Sequence, residues 1–86
     1  MSYQVLWVPA AEEELAQLWM ETPQPNRITA AADEIDARLA RTPADEGESR
    51  GPGRRILLVP PLGVTFELIP DDRLVRVLDV WLFRTR

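Results

Sequence analysis

The order of segments predicts an α+β fold, β-α-α-β-β-β, with a helical hairpin packed on one face of an antiparallel sheet. Three observations carry this expectation. β-Branched and aromatic runs lie at the two ends of the chain. Apolar residues at helical spacing lie only between them. Breaks rich in proline and glycine separate the segments.

The first run, Tyr3 to Val8, has no helical spacing and reads as a strand. Pro9 stops it and suits the first turn of a helix, and Glu12, Glu13 and Glu14 follow where the helix dipole favours negative charge. Ala11, Leu15, Leu18 and Trp19 form one apolar stripe of a helix reaching about Glu21, and Trp19 is expected in the core. "TPQPN" breaks the pattern, so a second helix starts from a cap at Thr22, with Pro23 behind it, or at Asn26. Its buried face is Ile28, Ala31, Ala32, Ile35 and Leu39, with Asp33, Glu34 and Arg38 in water, and Thr42-Pro43 ends it. Pro43 to Gly53 reads as a long unstructured loop, of a length that tends to be mobile or functional. Three strands follow: "RRILLV", then "VTFELI" after a "PPLG" turn, then "LVRVLDVWLF" after "PDDR". A tight last turn sets Glu67 opposite Arg76, an opposite-charge cross-strand pair.

The chain has 86 residues, the size of one small domain spanning 1–86. With 45% apolar residues it has the composition of a folded protein. It contains neither cysteine nor histidine, which removes disulfides, thiolate nucleophiles, Cys or His metal ligation and the usual neutral-pH general base. No cofactor and no metal are expected. The N-terminus lacks a basic region and cleavage site, and no apolar run nears the roughly 20 residues that span a bilayer, so a soluble cytoplasmic protein without membrane partners is expected. The net charge of −4 is unevenly spread. Residues 1–49 hold three arginines against ten acids, whereas residues 50–86 hold seven against four. Every base is arginine, a bidentate binder of carboxylate and phosphate but a poor proton acceptor.

Several constellations are better explained without a site. Glu12, Glu13 and Glu14 diverge around the helix axis and read as a solvated first turn, and "DEID" reads likewise. Ser49 has no histidine to activate it. "RGPGRR" lacks the spacing and the following helix of a P-loop. Trp7, Trp19 and Trp81 are more naturally core packing than base-stacking platforms, with Trp81 the best candidate for an exposed aromatic. What remains is arginine. Arg50, Arg54 and Arg55 precede or open one strand, Arg76 lies in the last, and Arg84 and Arg86 follow it. In a three-stranded meander the first and last groups fall at opposite ends of the sheet. These arginines are either scattered solvated side chains or, with Trp81, a surface for phosphates or an acidic partner segment.

"YQVLWVPAAEEELAQLW", "LARTP" with Gly47 four residues on, and "RILLVPPLGVTFELIPDDRLVRVLDVW" together resemble the RelE/ParE superfamily of bacterial toxins over nearly the whole chain. The resemblance implies a cognate antitoxin whose flexible tail covers the active surface. It also implies one of two activities: ribosome-dependent mRNA cleavage, as in RelE-like members, or inhibition of DNA gyrase, as in ParE-like members. Arg84 and either Arg54 or Arg55 fall where the nucleases carry basic residues, so Arg84 and Arg55 are the catalytic candidates of a RelE-like reading. The third basic position corresponds to about Gly63, and no tyrosine follows the last strand. The pattern therefore favours a ParE-like or otherwise non-nucleolytic toxin. A ribosome-dependent RNase and an inactive fold relative that binds a protein partner are the alternatives. The oligomeric state is left open.

Overall fold

The structure, a computed structural model, describes residues 2–83. The elements are β1 (Gln4–Trp7), α1 (Pro9–Glu21), α2 (Pro25–Arg41), β2 (Glu48–Ser49), β3 (Arg54–Val59), β4 (Leu62–Ile69) and β5 (Leu74–Leu82). Short 3-10 turns occur at Pro43–Asp45 and Pro70–Asp72. Both helices lie against one face of a sheet ordered β1-β5-β4-β3-β2. The expected α+β order holds. The meander is antiparallel, but β1 joins β5 in parallel, so the sheet as a whole is mixed. The parallel pairing follows from the path. β1 leads directly into the two helices, and the chain returns to β1 only through the last strand.

The core lies between the helices and the sheet. Ile28, Ala31, Ala32, Ile35 and Leu39 of α2 are all buried, as their spacing predicts, against Val64 and Phe66 of β4 and Val75 and Val77 of β5. A β-bulge between Thr65 and Phe66 of β4 and Val77 and Asp79 of β5 inserts Leu78, and Val80 then returns to the core side.

Local readings need correction in five places. The cap of α2 is Gln24, with Pro25 in the first turn; Thr22 Oγ1 instead accepts the Gln24 N–H at 3.1 Å. Pro25 fits the N1 position because its missing N–H has no helical partner there. Strand β4 starts at Leu62, so Pro60 and Pro61 alone make the turn and Gly63 lies within a strand.

The loop after α2 is also structured. Pro43 is buried, and Glu46 ties two elements together. Its carboxylate accepts Arg38 Nε–H at 2.8 Å, while its backbone carbonyl accepts Arg55 Nε–H at 2.7 Å. The bond to Glu46 holds the Arg38 guanidinium pKa above its ordinary value, so this cation persists at every working pH.

Finally, Trp19 is not in the core. It is 48% exposed and lines a cleft between the helices together with Ile28, Thr29 and Ala32 of α2. Trp7 is half-buried, and its indole N–H donates to Asp36 Oδ1 at 2.6 Å. Asp36, part of the "DEID" run assigned to solvent, is thus a core-edge acceptor.

Candidate partner-binding surface

Strand alternation sends Leu57, Val64 and Val80 toward the helices and their neighbours to the other, open face. Two rows on that face concern the predicted site residues. In the first, Arg54 of β3, Glu67 of β4, Arg76 of β5 and Leu6 of β1 stand in register. The N–H of Arg50 donates to the carbonyl of Arg54 at 2.8 Å, which places Arg50 opposite Arg54 and extends the row to the far edge. Neighbouring strands are about 4.8 Å apart, so three guanidinium groups share a stripe of roughly 14 Å.

The partners of these arginines differ. Arg76 Nη1 donates to Glu67 Oε1 at 3.1 Å, the pair expected from the hairpin. Arg50 Nη2 meets Glu48 Oε2 at 3.2 Å, with both side chains exposed, so water competes strongly for the pair. Arg54 is exposed, and its guanidinium has no hydrogen-bond or ion-pair partner among the described residues. It is the most available cation of the row.

The second row is Leu58, Gly63 and Trp81. It lies about 13 Å along the strands from the first. The Trp81 indole covers Gly63: a Cβ at position 63 would stand 2.6 Å from Trp81 Cε2 and 2.7 Å from Nε1. Trp81 is therefore half-buried against its own sheet and less exposed than expected. Leu58 beside it is 51% exposed and Leu6, at the end of the arginine row, 45%. The face thus combines arginines with accessible apolar groups.

Arg55 does not belong to this face. It stands in register with Phe66 and Val77 on the helix side. There its guanidinium donates to the carbonyls of Glu46 and Gly47, at 2.7 and 2.9 Å. Sequence gave no signal for this, because Arg54 and Arg55 differ only in the parity that selects a face. Arg84 and Arg86 lie outside the described residues. The start of β3 and the end of β5 are at opposite ends of the sheet, as the meander requires: Arg54 is level with Arg76, whereas Leu82 is level with Leu62.

Two solved structures share this architecture over almost their whole lengths. One is a chain of the toxin–antitoxin complex RelBE2 from Mycobacterium tuberculosis, with TM-score 0.79 and 19% identity, covering 96% of this chain and 93% of that one. The other belongs to the chromosomal ParDE toxin–antitoxin system of Pseudomonas aeruginosa, with TM-score 0.71 and 15% identity, covering 95% and 97%. The chain has the RelE/ParE toxin fold. The same fold also matches part of TrmO from Pseudomonas aeruginosa, with TM-score 0.63 and 28% identity, over 93% of this chain but 35% of that one. No protein-family model matches the sequence, and no curated protein matches it. No helix of the described residues is long and apolar enough to cross a membrane.

Proposed function

We propose that this chain is the toxin of a type II toxin–antitoxin pair, acting in the cytoplasm, and that it arrests growth in ParE fashion, by engaging a macromolecular target such as DNA gyrase without cleaving RNA. The observation that carries this reading is the Trp81 indole seated over Gly63. RNA cleavage through a 2′-hydroxyl needs several cations around one phosphate and a group to take the proton. At the position where the resemblance to nucleases asks for a further basic residue, any side chain would meet that indole. Arg55, the other internal candidate, has its guanidinium engaged by two loop carbonyls.

The arginine row suits docking better. An antitoxin segment with carboxylates for Arg50, Arg54 and Arg76 and apolar side chains for Leu6, Leu58 and Trp81 would cover the open face. Production of the chain alone should stop growth and inhibit gyrase supercoiling while leaving messenger RNA intact. Site-specific cleavage of ribosome-bound mRNA, lost in Arg84→Ala, would overturn the reading in favour of the ribosome-dependent nuclease. The match to about a third of TrmO places the same fold within a longer chain, and the second reading is a fold relative that serves as a protein-binding module with neither activity. Unchanged growth on production of the chain would select it.

A further inference from the structure

The arginine row occupies the open sheet face, but the opposite side of the molecule carries a groove of different character. Between α1 and α2 lies an open cleft of about 440 Å3. Trp7, Leu15 and Trp19 supply its apolar lining, and Glu12, Asp33 and Asp36 its charged groups. No arginine lines it, and none of the three carboxylates joins a salt bridge among the described residues. Met20, next to the half-exposed Trp19, is 71% exposed. An indole and a thioether are thus left in water beside uncompensated negative charge.

We propose that this groove docks an amphipathic helix of a second protein, one that carries Lys or Arg beside its apolar stripe. A cleft between two packed helices has the shape of a helix-in-groove site, and α1 offers about 20 Å of length along it. The polarity of the occupant follows from the charges. α1 holds Glu12, Glu13, Glu14 and Glu21 and no cation at all, and α2 adds Asp33 and Asp36 to the rim. Cationic side chains would reach these carboxylates while lying against the faces of Trp7 and Trp19, a geometry that favours ammonium and guanidinium groups. The indole bond from Trp7 already fixes Asp36, so less ordering is needed on association.

An acidic segment of the kind that suits the arginine row is repelled here, so the two faces select different segments. A second copy of this chain is a poor occupant, since its own two helices carry seven carboxylates against three arginines. The inference does not depend on the toxin reading.

The test is calorimetric titration of the protein with two tryptophan-free helical peptides of about 18 residues, identical in their leucine stripe. One carries lysine on its polar face and the other glutamate. The lysine peptide should bind and shift tryptophan emission to the blue; the glutamate peptide should not bind. Glu12→Gln/Asp33→Asn and Trp19→Ala, both at exposed positions, should each weaken binding about tenfold. Asp71→Asn/Asp72→Asn removes the same charge at a distant turn and should leave affinity within about twofold. Equal weakening by the distant pair, comparable binding of the glutamate peptide, or no binding of the lysine peptide would overturn the proposal. So would a wild-type dimer that Trp19→Ala disperses, because the occupant would then be a second copy.

Discussion

Gly47 and Gly51 flank the short strand β2 with positive φ, +69° and +106°, yet their surroundings differ. A Cβ at Gly47 would stand 2.2 Å from the Ile56 carbonyl oxygen, while nothing lies within 4 Å of one at Gly51. Gly47→Ala must move backbone as well as strain it, and should cost about 2–4 kcal/mol in urea unfolding. Gly51→Ala bears only the conformational penalty, about 1–2 kcal/mol; equal costs would show that the contact with Ile56 is unimportant. Gly63 differs again, because its neighbour is a side chain able to move. Gly63→Lys should expel the Trp81 indole, redden tryptophan emission and cost about 1–3 kcal/mol. Unshifted emission would mean that the ring and a side chain can coexist there. None of these differences is written in the identity of glycine, which says only that a side chain is missing.

At the scale of elements, the arginines divide into those that build the fold and those that face outward. Arg55 and Arg38 converge on Glu46 and hold the loop between helix and sheet. Arg55→Ala should cost about 1–2 kcal/mol, since the released carbonyls can be rehydrated. It should also speed amide hydrogen exchange around Glu48 and Ser49 well beyond any change in β4. Uniform acceleration throughout the sheet would assign Arg55 to global stability instead. The Arg76–Glu67 pair is a different case, with side chains 41% and 27% exposed. A double-mutant cycle should return less than about 1 kcal/mol, falling further as salt rises. Its value lies in leaving Arg54 as the row's uncompensated cation. The pair was legible from the turn signal before the last strand. The loop anchoring was not, because each of its bonds joins groups whose proximity depends on how the helix meets the sheet.

For the whole molecule, a chain of 86 residues has a total stability of about 4–13 kcal/mol, so one core side chain can decide whether it folds. Phe66 is fully buried at the centre of β4. Phe66→Ala should cost about 3–5 kcal/mol and leave much of the protein unfolded at 37 °C, whereas a loss below 1 kcal/mol would place the core elsewhere. By itself the sequence determined the element order, the buried face of α2, the Glu67–Arg76 register and the absence of histidine and thiol chemistry, because these depend on neighbours in the chain and on which atoms are present at all. Tertiary structure alone decided that β1 pairs in parallel with β5, that Arg55 turns away from the face Arg54 and Arg76 share, that Trp81 covers Gly63 and that Trp19 stands beside an acidic groove. The physical reason is common to all four. Strand parity, sheet order and helix docking determine where a side chain points only after distant segments have packed, and local periodicity does not carry that information.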